Sequence, residues 1–290
     1  MKQNLALWAL AAIGLAVTVH ADTTIDPTNS TAYSANAGWI NAEADTTNGA
    51  VIGQAFCEGY LYGANVGWIH LGDGDPVDHI AYANDSASDF GINHDGLGNL
   101  TGYAYGANIG WINFEQTYGQ PKVNLTTGNL SGYVWGANAG WISLSNALAY
   151  VRTQTLGTGP DSDSDGIPDS WEYGHTNSLN VLSNAGTDSD GDGISDVDEY
   201  GADTNPFDVG DYLVITDFQI QGTTNDITWP VKTTRLYTLQ HAAALSNSLV
   251  WADTGSSFIP SSGPDVTETV PGVTDPARFY RVRVSLPLSP

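Results

Sequence analysis

One repeated motif constrains this chain more than any other feature. Residues 59–71 read G-Y-L-Y-G-A-N-V-G-W-I-H-L, residues 102–114 read G-Y-A-Y-G-A-N-I-G-W-I-N-F, and residues 132–144 read G-Y-V-W-G-A-N-A-G-W-I-S-L. A shorter copy, Y-S-A-N-A-G-W-I-N, spans residues 33–41. The tryptophans of the four copies, Trp39, Trp68, Trp111 and Trp141, are spaced 29, 43 and 30 residues apart; the long step carries an insert of about 13 residues within 70–95. Units of this kind bury their apolar faces only against one another, so the copies must stack or close. Closure into a prism or barrel is favoured over an open solenoid, because no capping segment is evident. The first copy would then meet the last strand near residues 148–152.

Each copy reads as a β-hairpin, with aromatic and β-branched residues alternating with small ones around a Gly-Ala-Asn turn. A two-residue turn, Ala107-Asn108, puts Tyr103, Tyr105, Gly110, Ile112 and Phe114 on one face, taken as the core. Gly102, Ala104, Ile109, Trp111 and Asn113 fall on the other. The residue after the Trp-Ile pair is polar in every copy (Asn41, His70, Asn113, Ser143), which marks that second face as solvated and carries the tryptophans with it. Solvated tryptophans beside amides suit stacking on sugar rings; packing between hairpins is the alternative. Trp39, Trp68, Trp111 and Trp141 are therefore the candidate ligand-binding residues. The motif is similar to repeats of secreted bacterial proteins, and that similarity implies no activity.

The second feature lies at 161–199. D-S-D-S-D-G-I-P-D-S-W-E begins at Asp161 and D-S-D-G-D-G-I-S-D-V-D-E begins at Asp188. Both carry Asp at positions 1, 3, 5 and 9, Gly at 6 and Glu at 12. Alternate carboxylates on a tight loop converge on one point and suit a hard cation that takes six to eight oxygens. The candidate calcium ligands are Asp161, Asp163, Asp165, the Ile167 carbonyl, Asp169 and Glu172 in the first loop. In the second they are Asp188, Asp190, Asp192, the Ile194 carbonyl, Asp196 and Glu199. Gly166 and Gly193 are expected to make the sharp turn, and both isoleucines to point into a local core. Short helices are expected at 168–174 and 179–184.

With its tail Glu199-Tyr-Gly-Ala-Asp-Thr-Asn-Pro206, this stretch resembles the bacterial form of thrombospondin type 3 calcium-binding repeats. The resemblance covers about 50 of the 290 residues. It implies two bound Ca²⁺ ions and secretion, and no activity.

Charge supports the metal. The formal net charge is −24. Residues 161–211 hold 14 acidic side chains and no Lys or Arg, a stretch that repels itself unless cations bind. The same charge disfavours nucleic acid and anionic membrane partners. The apolar run 5–19 followed by Val19-His20-Ala21 reads as a signal peptide cleaved after Ala21, and no later run is apolar enough to span a membrane. Cys57 is the single cysteine, so no disulfide can form within the chain. Its alignment with Leu100 and Leu130 makes it a small buried hydrophobe.

From 211 the chain suggests a small β-sandwich, with strands at 212–220, 225–230, 234–240, 267–270 and 278–284. Trp229, Tyr237, Leu239, Trp251, Phe279 and Tyr280 are its expected core. The run 277–284 resembles the closing strand of short fibronectin-like modules. Arg278, Arg281 and Arg283 form the only basic cluster. The expected organisation is mainly β: signal peptide 1–21, hairpin-repeat domain 22–156, calcium-loop module 157–210 and β-sandwich 211–290. The expected function is a secreted, calcium-braced surface or matrix protein, adhesive or glycan-binding through the repeats. The insert 70–95, with His70, Asp73, Asp75, Asp78, His79, Asp85, Asp89, His94 and Asp95, supports an alternative: a secreted polysaccharide hydrolase or lyase. A purely structural coat protein is the third.

Overall fold

The computed structural model describes residues 23–182, 186–243, 250–271 and 278–289. The expected signal peptide lies outside them. The described residues fall into two units, 23–182 with 288–289 in the first and the rest of the chain after residue 183 in the second. The division falls between the two acidic loops: the first belongs with the hairpin repeats, the second with the C-terminal sheets.

In chain order the strands of the first unit are β1 (Ile25–Ser34), β2 (Gly38–Asn41), β3 (Val51–Ile52), β4 (Cys57–Gly63), β5 (Gly67–Gly72), β6 (Ile92–His94), β7 (Leu100–Gly106), β8 (Gly110–Asn113), β9 (Lys122–Val123), β10 (Leu130–Ser131), β11 (Tyr133–Gly136), β12 (Gly140–Ser143) and β13 (Val151–Thr153). The four copies form the antiparallel hairpins β1–β2, β4–β5, β7–β8 and β11–β12. Neighbouring hairpins join through β2–β4, β5–β7 and β8–β11. β12 then pairs with β1, Tyr33 opposite Ser143, and the eight strands close into a barrel. The long β1 also pairs with β13.

The turns differ from expectation by one residue. Gly106 pairs with Gly110, leaving Ala107, Asn108 and Ile109 between them. The Ile109 N–H donates to the Gly106 carbonyl at 3.1 Å, and Gly110 follows at φ +73°. A tight turn followed by a left-handed glycine is the usual three-residue hairpin link. Ala104 therefore faces Ile112, and Tyr105 faces Trp111. This corrects the expected core. Ile112 and Phe114 are buried as expected, but Ala104 and Ile109 go in with them. Tyr103 and Tyr105 go out with Trp111.

Small residues on one arm and large ones on the other line the barrel interior. Ile40, Ile69, Ile112 and Ile142 form one buried layer. Ala32, Leu61, Ala104 and Val134 lie on the partner arms, with Leu61 partly buried. An eight-stranded barrel is just wide enough for side chains to fill. Cys57 is fully buried in this core. Burial pushes its thiol up to about 12, so it packs as a protonated hydrophobe.

The turns are also linked to one another. Asn65 Nδ2 donates to the Ala37 carbonyl at 3.2 Å, Asn108 Nδ2 to Val66 at 3.1 Å, and Asn138 Nδ2 to Ile109 at 3.1 Å. At the closing seam the Ser34 hydroxyl donates to the Ala139 carbonyl at 2.8 Å. The turn asparagine thus reaches back to the preceding hairpin, and Ser34 completes the circle. After the barrel, α1 (Asp169–Thr176) ends the first acidic loop.

The second unit begins with the other acidic loop and its helix α2 (Asp196–Ala202). Its strands are β14 (Asp217–Gln221), β15 (Thr224–Pro230), β16 (Leu236–Ala242), β17 (Ala252–Phe258), β18 (Asp265–Pro271) and β19 (Phe279–Ser285). They form two three-stranded sheets, β14-β15-β18 and β17-β16-β19. The sheets share a core that includes Ile227, Trp229, Tyr237, Leu239, Tyr280 and Val282. Two expected core residues are elsewhere. Trp251 is half-buried beneath the Arg281 guanidinium, 4.6 Å from its ring centroid, and Phe279 is half-buried at the start of β19. β17 was not expected: A-D-T-G-S-S-F shows no apolar alternation, and pairing with β16 holds it as an edge strand.

The turn linkage is testable. Asn108→Ala and Asn138→Ala each leave a carbonyl without its cross-hairpin donor, at a cost of about 1 kcal/mol. Urea unfolding should show both losses. Asn36→Ala should cost less, because Ser34 already serves the closing carbonyl.

Candidate metal loops and an outward aromatic face

The two acidic loops fold alike. Gly166 (φ +99°) and Gly193 (φ +96°) make the expected sharp turn at position 6. Position 4 is left-handed too, Ser164 at +62° and Gly191 at +81°. The first aspartate ties each loop: Asp161 accepts from the Asp165 and Gly166 amides, and Asp188 from the Gly191 and Gly193 amides. These bonds gather the triplets Asp161, Asp163, Asp165 and Asp188, Asp190, Asp192. In each triplet, one carboxylate oxygen per residue lies within 4.8 Å of the others.

The glutamates test whether a cation fits. Glu172 and Glu199 are fully buried. Both Glu172 oxygens and Oε2 of Glu199 have no hydrogen-bond donor. Burial, reinforced by Asp165 and Asp163, pushes Glu172 up to about 8. Burial, then Asp190, does the same to Glu199. A buried carboxylate with neither donor nor counter-ion is costly. One that faces a carboxylate triplet fits a hard cation.

Asp169 and Asp196 have a different position. The Ser162 N–H and hydroxyl donate to the two oxygens of Asp169 at 2.7 and 2.6 Å. Ser189 holds Asp196 in the same way at 3.0 and 2.9 Å. Both aspartates are buried and stand outside the triplets; they clasp position 9 to position 2. Ile167 is buried as expected, and Ile194 only half so.

The helices anchor the loops within their units. In the first, Tyr173 of α1 stacks on His79 at 4.5 Å. In the second, the buried Arg235 guanidinium donates to the carbonyls of Tyr200 (2.6 Å) and Gly201 (3.0 Å) at the end of α2. A cation there also suits the helix C-terminus. The expected helical turn at 179–184 is absent from the described part, where 177–182 form bends and turns.

The barrel exterior carries the other candidate residues. Trp39, Trp68, Trp111 and Trp141 are 45–48% exposed, so all four point outward. Each packs against the aromatic residue across its hairpin: Tyr33–Trp39 4.8 Å, Tyr62–Trp68 4.9 Å, Tyr105–Trp111 4.9 Å and Trp135–Trp141 5.1 Å. In the three full copies a second tyrosine, Tyr60, Tyr103 or Tyr133, meets the tryptophan edge-on. These tyrosines, and Trp135, belong to the outward surface although the sequence pattern assigned their positions to the core. The three-residue spacing between paired glycines was the available signal. Phe90, from the insert, lies 4.9 Å from Trp111 and 5.4 Å from His70; nothing in the repeat pattern marks it.

Four of the insert's six aspartates shape loops. Asp78 accepts from the Ile80 and Ala81 amides, Asp95 from Leu97 and Asn99, Asp89 from Ala83, and Asp73 from Asp75. His70 stacks on Tyr60 at 4.6 Å. His94 is buried between the Gly53 carbonyl (2.8 Å from Nδ1) and the Gly98 N–H, which donates to Nε2 at 3.0 Å.

No helix among the described residues is long and apolar enough to cross a membrane. Compared with protein-family models, curated proteins and solved structures, the chain gives no match.

His94 gives a pH test. Burial holds its pKa below the ordinary 6.5, against weaker opposing effects from the Gly53 carbonyl and Asp95. The unfolded chain therefore binds more protons in the window below 6.5, and the folded state loses stability as pH falls through it. Urea unfolding in excess calcium should show less stability at about pH 5.5 than at about pH 7.5. His94→Gln should reduce that difference, and His70, whose pKa burial also lowers, should sustain the remainder.

Proposed function

We propose that this chain is a secreted, calcium-braced surface or matrix protein that binds extracellular glycans through the outside of its barrel. The observation that carries the binding reading is the outward position of all four repeat tryptophans. A purely structural coat would bury them between hairpins. Their half-exposed rings, set among tyrosines, offer flat apolar platforms to the C–H faces of sugars, and neighbouring amides offer hydrogen bonds. The net charge of −24 favours neutral glycans over anionic ones. The hydrolase or lyase alternative draws less support, because Asp73, Asp78, Asp89 and Asp95 already accept from turn amides and His94 from its own loop.

Calcium is the brace in this reading. Each ion would be held by an aspartate triplet and a glutamate: Asp161, Asp163, Asp165 and Glu172, then Asp188, Asp190, Asp192 and Glu199, with the carbonyls of Ile167 and Ile194. It supplies positive charge that the buried glutamates lack within the protein. The signal peptide ending at Ala21 fits an extracellular address, where calcium is plentiful.

Two measurements test this. Calorimetric titration of Ca²⁺ into metal-free protein should show two sites, and Glu172→Gln or Glu199→Gln should each weaken one. Calcium at a hundred times its Kd should stabilise a unit by about 2.7 kcal/mol per site. No binding at millimolar calcium sinks the brace. A neutral-glycan array should show retention of the calcium-loaded protein; a blank array sinks the glycan reading.

A further inference from the structure

The barrel's outside has four seams between hairpins, and they are not equivalent. At each, the polar residue after the Trp-Ile pair faces an aromatic residue of the next hairpin. At β2–β4 Asn41 faces Tyr62; at β5–β7 His70 faces Tyr105; at β8–β11 Asn113 faces Trp135; at β12–β1 Ser143 faces Tyr33. Three of these polar groups are already engaged. The Glu43 N–H donates to Asn41 Oδ1 at 2.9 Å. His70 stacks on Tyr60, and Phe90 covers it from the insert. The Ser143 hydroxyl donates to the Ser145 carbonyl at 2.6 Å.

Asn113 differs. It is half-buried, and among the described residues its carboxamide has no hydrogen-bond partner. Trp111 precedes it by two residues on the same strand face, and Trp135 stands directly opposite. No ring contact joins those two tryptophans across the seam. Trp111 is instead held at its other side by Tyr105 and Phe90, and Trp135 by Trp141. The rings are fixed by their neighbours, so little conformational freedom is lost when a ligand stacks on them. Among the described residues, this seam alone presents an unengaged donor-acceptor amide between two tryptophans.

We propose that the β8–β11 seam is the glycan site. Trp111 and Trp135 act as platforms for a neutral, β-linked pyranose chain, and Asn113 binds its hydroxyls. Such sugars fit because equatorial hydroxyls leave both ring faces apolar while presenting adjacent donor and acceptor groups at the edge. An asparagine amide matches that edge with one carbonyl and one NH₂. The proposal rests on the glycan-binding reading and narrows it to one of four repeats.

The repeat itself supplies substitutions that the fold accepts. Serine stands at the Asn113 position in the fourth copy (Ser143), and tyrosine stands at the Trp135 position in the second (Tyr62). The probe is cellohexaose, titrated into the calcium-loaded full chain, with laminarihexaose and a mannohexaose as further arms. Asn113→Ser and Trp135→Tyr should each weaken binding about tenfold or more, or about 1.4 kcal/mol. Asn41→Ser, the same change at the first seam, should leave affinity within about twofold. All three variants should keep a folded far-ultraviolet circular dichroism spectrum and cooperative thermal unfolding. Wild-type protein that binds none of the three probes overturns both the glycan reading and this site. Wild-type binding that survives Asn113→Ser and Trp135→Tyr, or falls equally with Asn41→Ser, overturns the site while leaving the glycan reading in place.

Discussion

The barrel depends on a backbone conformation that recurs at four places. After each turn the chain must swing through positive φ, and a glycine stands there in every copy: Gly38, Gly67, Gly110 and Gly140. An L side chain at such a position is strained. That swing adds a third residue to the turn and thereby fixes which residues face each other. Isoleucine meets alanine, leucine or valine on the inside, and tryptophan meets tyrosine or tryptophan on the outside. The turn asparagine then reaches the carbonyl of the previous hairpin. In the second copy the glycine before the turn is needed for space as well: a Cβ on Gly63 would lie 2.6 Å from Val66 Cγ2. Register, core, outer face and closure therefore follow from one local geometry. The outward aromatic face follows from the same geometry, which turns the tryptophans of the hairpins and the tyrosines opposite them away from the core.

Much of this was legible in the sequence. The repeats announced hairpins and their closure, because each copy must bury the same face. The isoleucine positions were legible because they never vary in type, and Gly166 and Gly193 because a tight acidic loop permits little else at position 6. The turn length was not. Gly-Ala-Asn-x-Gly accommodates two or three residues, and the choice moves Tyr103 and Tyr105 from inside to outside. Tyrosine does not decide the matter, since it suits a core or a surface equally. The clasp between Ser162 and Asp169 was hidden for another reason: an aspartate at position 9 reads as a ligand whether it contacts the ion or holds the loop. Phe90 comes from the one segment without a repeated counterpart, so no comparison between copies could place it.

The two acidic loops show how similar sequences are put to work in different surroundings. In the first unit the helix after the loop meets the barrel through an aromatic stack, Tyr173 on His79. In the second it ends on a buried arginine, Arg235, whose guanidinium takes the last carbonyls and lies 5.8 Å from the Tyr200 ring centroid. Lys232 adds an ion pair to Asp211 at 2.8 Å. Cationic side chains are scarce in this chain, and two of the eight are committed to this one region. Among the described residues the first unit shows no such arginine at the end of its helix, and ring packing and loop hydrogen bonds stand in that place.

Closure has a last consequence. β1 and β13 are paired, Ile25 opposite Thr153, and the Thr153 hydroxyl donates to the Thr24 carbonyl at 3.1 Å. The polypeptide thus enters and leaves the barrel at adjacent points. A ring of like units whose ends meet has no privileged first member. It could be reopened at another turn and rejoined at the old ends, giving a circular permutant with the same set of strand pairs. Equally, it could be spliced whole into a surface loop of a host protein, since its two ends would span no more than such a loop does. Short repeats that close on themselves are in that sense portable: what is inherited is the seam between neighbours rather than any particular order of the chain.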